Sequence, residues 1–332
     1  MGELSFRMAV TRAVDEEMAR DPNIILLGED VRIWGAPRTE FRGLYDKYGP
    51  KRVFDTPISE AAIVGAAIGA ALTGLRPIAN IMFANFLGMC GDELINQLTQ
   101  MRYMFGGKVN LPVTITGYFG AGLSAAAQHS RTLTGLLLSI PGLKIVVPSG
   151  PLEALGLLKS AIRDDNPVIC LHHALLLSRP KKGELTEEEP EGEYIIPLGK
   201  AVVKREGKDV TVVATAAMVR RALASADKLQ QKDISVEVID LRTLVPLDKQ
   251  TIIDSVKKTG RLVIIDEEVR SASVAGQIAA IIAEEAFDFL DAPIKRVCAP
   301  DTPVPYSPVL EKFWMPDEDK LIKAILELTC PR

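Results

Sequence analysis

Apolar residues recur at helical spacing in some segments of the chain and form short unbroken runs in others. Helical spacing marks Phe6–Ala19, Gly88–Phe105 and Pro151–Arg163, whereas Asn23–Leu27 and Pro112–Gly117 are short apolar runs bounded by turn residues. The two patterns alternate through most of the 332 residues. Such alternation predicts an α/β fold with two doubly wound, mainly parallel sheets covered by helices on both faces.

The alternation is interrupted once, shortly before residue 200. There an acidic run, Glu187–Glu189, lies among three prolines, a composition typical of a linker. We therefore predict a first domain over residues 1–180, a linker over 181–198 and a second domain over 199–332.

Composition excludes several classes of protein. The formal net charge is -4 and both signs are mixed along the chain, which argues against nucleic acid as a partner. The longest apolar run, Ala61–Leu75, is shorter than the ~20 residues that cross a membrane, so we expect no membrane contact. Met1–Arg20 is too charged for a cleavable signal, and four scattered cysteines favour neither a zinc site nor a disulfide framework. These features predict a cytoplasmic protein.

One carboxylate stands at the start of an apolar helix made of small residues. Glu60 follows Ser59, a predicted N-cap, and precedes Gly65 and Gly69, which lie one turn apart. Apolar surroundings disfavour an ionised carboxylate, so Glu60 suggests a site that handles protons. Equally, it could be a first-turn acid favoured by the helix dipole. The small residues suggest close packing against another chain.

The histidines and one aromatic residue are further candidates. His129 follows a glycine-rich loop, where it could act as an acid or hydrogen-bond donor or could simply cap the next helix. His172 and His173 end a strand, and their simplest interpretation is one buried ring and one exposed ring. Phe86 could stack on a ligand or belong to the core.

Familiar nucleotide-binding and nucleophile motifs are absent. No G-x-G-x-x-G follows the first strand, Gly107-Lys108 lacks the rest of a P-loop, and Gly122-Leu123-Ser124 does not continue into a nucleophile elbow. The fold class alone assigns no function.

A set of short segments, taken together and in order, carries a resemblance to a known family. They are Asp55–Glu60 (DTPISE), Gly74–Pro77 (GLRP), Tyr103–Gly107 (YMFGG), Ala127–Ser130 (AQHS), Pro141–Lys144 (PGLK), Ala161–Asp164 (AIRD), Ile196–Gly199 (IPLG), Val238–Thr243 (VIDLRT) and Lys258–Arg261 (KTGR). From about Ser5 to Leu328 the chain resembles the beta subunit of the thiamine-diphosphate-dependent first component of 2-oxo acid dehydrogenase complexes, within the transketolase-like superfamily.

The resemblance implies a role for each candidate. The first domain would be the pyrimidine-binding domain and the second a transketolase C-terminal-like domain. Glu60 matches the glutamate that bonds a pyrimidine ring nitrogen of thiamine diphosphate, Phe86 an aromatic that packs on that ring, and His129 a catalytic histidine that orients substrate or assists acyl transfer. A loop that holds potassium in some relatives matches Ala161, Ile162, Asp164 and Asn166.

One expected motif is missing. Relatives hold magnesium and the diphosphate with Gly-Asp-Gly followed later by Asn, yet Gly91-Asp92 continues into Glu93 here. The resemblance therefore implies no magnesium site on this chain. It implies an alpha subunit that supplies magnesium, an α2β2 heterotetramer, and a lipoyl-bearing acyltransferase core as the acceptor of the acyl group.

The resulting hypothesis is an oxidoreductase subunit that decarboxylates a 2-oxo acid of pyruvate type, or cleaves acetoin, and passes the acyl group to a lipoyl protein. The alternatives are a stand-alone transketolase-like thiamine enzyme and a non-catalytic assembly subunit. Gly120–Leu123 and Thr302–Pro305 favour the acetoin type. The chain departs from relatives at His172-His173, Arg131 and Asn80, which leaves the substrate open.

Overall fold

The computed structural model describes residues 2–177 and 185–329. Two compact units make up the chain: unit 1 is Met1–Phe119 with Leu137–Leu198, and unit 2 is Gly120–Leu136 with Gly199–Arg332. The assignment of Gly120–Leu136 to unit 2 has no signal in the sequence pattern. The domain bounds expected from sequence stay a prediction.

Strands and helices alternate along most of the chain. The strands are β1 (Glu3–Ser5), β2 (Ile24–Gly28), β3 (Val53–Asp55), β4 (Arg76–Phe83), β5 (Thr114–Phe119), β6 (Lys144–Val146), β7 (Val168–His173), β8 (Thr186–Glu188), β9 (Val202–Arg205), β10 (Val210–Ala214), β11 (Val236–Asp240), β12 (Thr243–Val245), β13 (Leu262–Val269) and β14 (Lys295–Ala299). The α-helices are α1 (Phe6–Arg20), α2 (Leu44–Tyr48), α3 (Glu60–Leu72), α4 (Met101–Met104), α5 (Thr134–Leu138), α6 (Pro151–Arg163), α7 (Ala217–Gln230), α8 (Lys249–Thr259), α9 (Val274–Glu285), α10 (Pro308–Trp314) and α11 (Glu318–Thr329).

The main sheet of unit 1 is parallel, as the alternating pattern predicted. Its strands lie in the order β6-β7-β5-β4-β2-β3. In this sheet Gly28 pairs with both Asp55 and Asn80, so the carboxyl ends of β2, β3 and β4 meet at one edge. Helices α1 and α6 pack against each other, and each buries an apolar face.

Unit 2 contains a second α/β sheet. Its strands lie in the order β14-β13-β10-β11-β9, parallel except for β9, which pairs antiparallel with β11. Strands β10 and β11 are buried along their whole length; β10 is almost entirely apolar, as expected of a covered parallel strand, whereas β11 also buries Glu237 and Asp240. The predicted α/β class is confirmed for both units.

One local prediction was wrong, and another was confirmed in position only. The helix expected over Gly88–Phe105 is broken into a 3₁₀ segment (Ala84–Cys90), a π-helical turn (Glu93–Leu98) and the short α4. Asp92 accepts hydrogen bonds from the side-chain amides of Asn96 (2.7 Å) and Gln97 (3.2 Å), which lie across the wider turn. Ser59 occupies the N-cap position of α3, but its side chain makes no capping hydrogen bond.

Two further expectations differ from the structure. Within the predicted linker, residues 181–184 lie outside the described residues, and the rest contains β8, which pairs antiparallel with β1. The rings of His172 and His173 are both buried at 1% exposure, not one in and one out. They alternate across β7, an interior strand of the sheet whose two faces are both covered, so neither side reaches solvent.

Candidate functional site

Two glutamates lie together at the carboxyl edge of the unit 1 sheet. Glu29 follows β2 directly, and Glu60 opens α3 shortly after β3. Burial of Glu29, with the negative charges of Glu60 and Asp30 nearby, raises the pKa of Glu29 above its usual value. Neither carboxylate makes a hydrogen bond or ion pair with any residue that the structure describes. The pair is therefore placed to exchange a proton with a bound molecule.

The segment between β3 and α3 adds an unsatisfied hydroxyl. The backbone N–H of Thr56 donates to the Gly28 carbonyl (3.0 Å), and Asp55 Oδ1 accepts from the Arg32 N–H (2.6 Å). These bonds fix the segment against the end of β2. The buried Thr56 Oγ1 has no hydrogen-bond partner among the described residues. A buried hydroxyl without a partner is costly, so a ligand at this edge would find a ready donor or acceptor.

A bulge at the end of β4 positions the aromatic candidate. The buried Asn80 donates from Nδ2 to Thr116 Oγ1 (3.0 Å) and accepts at Oδ1 from the Met82 N–H (3.2 Å). The register then shifts before Phe83, and Met82 has a φ of 33°. Beyond the bulge Phe83 and Phe86 meet edge to face, with centroids 5.6 Å apart. Asn80 thus shapes the backbone that carries Phe86.

Glu60 and Phe86 lie on elements that pack together. Helix α3 contacts the 3₁₀ segment Ala84–Cys90, which contains Phe86. Burial, with the charges of Glu93 and Glu60, raises the pKa of the Cys90 thiol to about 12. That thiol stays protonated and is 3.7 Å from the Phe86 carbonyl oxygen. Unit 1 therefore brings two of the three catalytic and cofactor candidates, Glu60 and Phe86, to one edge of its sheet.

The third candidate, His129, belongs to unit 2. It ends a short 3₁₀ turn, Ala127–His129, and its backbone N–H reaches the Ala126 carbonyl at 3.4 Å. Its side chain is half-buried, whereas Arg131 is exposed. His129 thus lies in an irregular segment, as predicted, and the helix after it starts only at Thr134.

The residues predicted to hold potassium form one turn at the end of α6. The carbonyls of Ile162 (3.0 Å) and Asp164 (2.8 Å) accept from the Arg76 guanidinium, and the Ala161 carbonyl accepts from Thr114 Oγ1 (3.2 Å). Asp164 pairs with Lys144, and Asn166 Oδ1 accepts from Arg102 (2.7 Å). Burial opposes the ionised form, yet Lys144 and Asn166 hold the pKa of Asp164 below its usual value. The positively charged side chains of Arg76, Arg102 and Lys144 therefore already contact most of these oxygens.

Sequence reasoning missed Glu29 and Thr56. Both follow strands of the parallel sheet, and the carboxyl ends of such strands build binding sites. The sequence signal was present in Gly28-Glu29-Asp30, a polar run that ends a buried strand. The importance of this polar run could not be judged without the order of the strands, which places β2 beside β3.

Residues 2–177 and 185–329 contain neither a membrane-spanning helix nor a cluster of metal ligands. No helix there is both long and apolar enough to cross a membrane. No group of three or more histidine, cysteine or acidic side chains there could hold a metal ion.

The residues at the sheet edge fit the aminopyrimidine ring of thiamine diphosphate. Such a ring needs a carboxylate for a ring nitrogen, further polar groups for its amine and an apolar face for stacking. Glu60 and Glu29 supply the carboxylates, Thr56 the unsatisfied hydroxyl and Phe86 the aromatic surface. Nothing in this donor set contradicts the cofactor that the sequence resemblance implied.

Comparison with known proteins identifies the family. Residues 2–179 match the transketolase pyrimidine binding domain, and residues 199–321 match the transketolase C-terminal domain. The beta subunit of acetoin:2,6-dichlorophenolindophenol oxidoreductase from Bacillus subtilis (strain 168) is 49% identical, with 98% of this chain and 97% of that protein covered. The beta subunit of the pyruvate dehydrogenase E1 component from the same strain is 42% identical over 97% of this chain and 98% of its own length.

A solved structure agrees on the fold. An inactive β4 tetramer of a split-gene transketolase superposes with a TM-score of 0.78 at 24% identity, and 99% of each chain is covered. The chain therefore belongs to the transketolase-like family of beta subunits of thiamine-dependent acetoin and 2-oxo acid dehydrogenases.

Proposed function

We propose that this chain supplies the pyrimidine-binding half of a thiamine diphosphate site, with Glu60 as the carboxylate for the ring nitrogen and Phe86 as the packing surface. The observation that carries the proposal is the Glu29–Glu60 pair: burial and the charge of Glu60 raise the pKa of Glu29, and both carboxylates lack hydrogen-bond partners among the described residues. A carboxylate pair of this kind readily holds one proton, which suits a ring nitrogen that gains and loses one.

When bound, thiamine diphosphate supplies the nucleophilic carbon that attacks the substrate carbonyl. The chain's own residues then have distinct tasks. Glu60 holds a proton at its carboxylate, Glu29 adds a second carboxylate beside it, and Phe86 excludes water from one face of the ring. His129 orients the substrate or supplies a proton during transfer of the acyl group to a lipoyl group.

The site needs a second chain. A beta subunit works with an alpha subunit in a tetramer, and we propose the α2β2 arrangement with magnesium and the diphosphate contacts on the alpha subunit. The missing Gly-Asp-Gly motif supports this division, because a diphosphate needs a metal or a cluster of donors. We further propose that the product acyl group passes to a lipoyl-bearing acyltransferase core.

The proposed substrate is acetoin, with pyruvate as the second candidate. The two acetoin-type relatives, from Bacillus subtilis and Cupriavidus necator, are more similar to the chain than the pyruvate-type and 2-oxoisovalerate-type relatives. Potassium at Ala161, Ile162, Asp164 and Asn166 also stays a proposal. A carbonyl oxygen has two lone pairs, so these carbonyls could bind a cation alongside Arg76. A cytoplasmic location stays a prediction.

Substitution of Glu60→Gln in the enzyme co-purified with its alpha partner tests the central role. The amide keeps the shape but cannot hold a proton in the same way, so kcat should fall roughly 10²–10⁴-fold. Turnover is measured with acetoin, pyruvate and a branched-chain 2-oxo acid, with 2,6-dichlorophenolindophenol as electron acceptor.

The matched control is Glu153→Gln, which alters a first-turn glutamate of α6 in the same unit. It should leave kcat within about twofold. If Glu60 only stabilised the helix dipole, its amide variant would lose at most ~1 kcal/mol of stability and keep its turnover. Near-normal turnover by the Glu60 variant would therefore refute the proton-holding role.

A further inference from the structure

Buried glutamates tie down the segment that precedes His129. Glu311 on α10 is 3% exposed, and its carboxylate accepts from the backbone N–H groups of Gly122 (2.8 Å) and Ser124 (2.9 Å) and from Ser124 Oγ (3.3 Å). Glu267 on β13, 3% exposed, accepts at Oε1 from the Ala121 N–H (2.5 Å). Charged acceptors make hydrogen bonds about twice as strong as neutral ones, so this end of the loop is firmly held.

A third glutamate ties down the segment that follows His129. Glu268 on β13 is 2% exposed, and its Oε2 accepts from the hydroxyls of Thr132 and Thr134 (3.2 Å) and from the Gly135 N–H (3.3 Å). All the residues of both attachments belong to unit 2. We call Glu267, Glu268 and Glu311 the glutamate clamp.

The backbone between and at the two attachments is strained and mostly irregular. Ser124, Ala126 and Leu133 have φ values of 54°, 61° and 54°, a region that residues with a Cβ rarely occupy. Between the end of β5 at Phe119 and the start of α5 at Thr134, the only regular element is the 3₁₀ turn Ala127–His129. Strained backbone persists only where the surroundings over-determine it, and the glutamate clamp binds this segment at both of its ends.

Asp266 fixes the end of β13, the strand that carries Glu267 and Glu268. Asp266 accepts from the Glu268 N–H (3.1 Å) at one oxygen and from the Ala275 N–H (3.3 Å) at the other, which links the strand end to the start of α9. Burial, with the charges of Glu268 and Glu267, raises the pKa of Asp266 to about 6. Three consecutive buried acids are costly for stability alone, which points to a positional role.

We propose that Glu268 and Glu311 are positioning residues that set the orientation of His129 for acyl transfer. The inference rests on the proposed function, since it takes His129 as the residue that serves that step. Loss of either carboxylate would release one end of the segment and let the imidazole leave its working orientation. A displacement of about 1 Å in a reacting group can cost roughly 10²-fold in rate.

The test uses the enzyme co-purified with its alpha partner and the variants Glu268→Gln, Glu311→Gln and His129→Ala. Two rates separate the steps: reduction of 2,6-dichlorophenolindophenol, and acyl transfer to a purified lipoyl domain. We expect acyl transfer to fall roughly 10- to 100-fold in the two clamp variants while dye reduction stays within about threefold. Amide hydrogen exchange over residues 120–136 should accelerate in the same two variants.

Glu237→Gln is the control, because Glu237 is also a buried glutamate of unit 2 (1% exposed) and bonds Ser255 and Lys258 far from the segment in sequence. It should change neither the transfer rate nor exchange over 120–136. If a glutamine variant does not fold, Thr132→Val replaces it in the test. This variant removes one partner of Glu268 while keeping the carboxylate, so it should give a smaller change in the same direction.

The outcomes separate the two levels of the proposal. Wild-type transfer and wild-type exchange in both clamp variants would overturn the glutamate clamp, as would an equal loss in the Glu237 control. Normal transfer by His129→Ala would instead overturn the role given to His129 under the proposed function. In that case, amide hydrogen exchange over residues 120–136 in Glu268→Gln and Glu311→Gln would still test whether the glutamate clamp holds the segment.

Discussion

At the scale of single residues, one buried carboxylic acid makes the stability of the protein depend on pH. Glu40 has no exposed surface, accepts a hydrogen bond from the Tyr118 phenol at Oε1 and has no partner for Oε2 among the described residues. Burial raises the pKa of Glu40 to about 7, although the bond from Tyr118 lowers it. The folded protein therefore keeps a proton that the unfolded chain releases near pH 4.5.

The sign of the effect follows from proton counts. Between pH 4.5 and about 7 the folded state binds more protons at Glu40 than the unfolded state, so stability falls as pH rises through this window. The contribution is on the order of 3 kcal/mol, fully present below pH 4.5 and lost above about pH 7. Glu40→Gln should flatten this part of the profile, measured as thermal midpoints at pH 5 and pH 8.

The matched variant Tyr118→Phe acts in the opposite direction. It removes the hydrogen bond that lowers the pKa of Glu40, so the fall in stability should extend to higher pH. Parallel pH profiles for wild type and Glu40→Gln would show that Glu40 does not carry the effect.

The special role of a single residue can be predicted from sequence only when residues adjacent along the chain reveal its environment. Glu60 stood out because an apolar helix follows it directly. Glu40 did not, because its partner Tyr118 is 78 positions away and becomes its neighbour only in the fold. Glu29 was missed for the same reason, since the burial that chiefly raises its pKa and the nearby charge of Glu60 both arise only in the fold.

At the scale of elements, α3 has one face packed within unit 1 and one face that no described residue covers. Its buried face consists of Ile63, Val64, Ala67, Ile68 and Ala71. Gly65 and Gly69 lie on the exposed side, and no atom of the described residues lies within 4 Å of the place that a Cβ would take at either. This agrees with the prediction from sequence that the small residues form a subunit contact, which stays a prediction.

Substitution of Gly65→Leu tests that contact. Within this chain the leucine meets open space and gains helix propensity of about 1 kcal/mol over glycine, so the chain should fold at least as well as wild type. If a partner backbone packs there, the tetramer should be lost, measured as molar mass by light scattering. The control is Ala224→Leu on the exposed side of α7, and an intact tetramer in both variants would contradict the contact.

Long elements with a strong pattern were predictable, and short or irregular ones were not. The pattern gave α6 with its observed bounds, Pro151–Arg163, because proline starts the helix and its apolar face is regular. Strand β8 was missed because Thr186–Glu188 is acidic and owes its conformation to pairing with β1. The break in the helix predicted over Gly88–Phe105 depends on side-chain bonds of Asp92 that no periodicity encodes.

At the scale of the whole molecule, the chain carries two α/β units and one part of the proposed thiamine diphosphate site. Unit 1 holds Glu60 and Phe86 at its sheet edge, and unit 2 holds His129 between the two attachments of the glutamate clamp. No sequence pattern predicted that residues 120–136 belong with unit 2, because the glutamates that hold them lie more than 130 positions later. The missing Gly-Asp-Gly motif, in contrast, was readable from the sequence directly.

The most direct test of the account is calorimetric titration of thiamine diphosphate with magnesium into the chain alone and into the chain co-purified with its alpha partner. If this chain holds only the pyrimidine half of the site, the assembled enzyme should bind at least roughly 100-fold more tightly, a difference of about 2.7 kcal/mol. Binding to the assembled enzyme should also require magnesium. Equally tight, magnesium-dependent binding by the chain alone would contradict the division of the site between two chains.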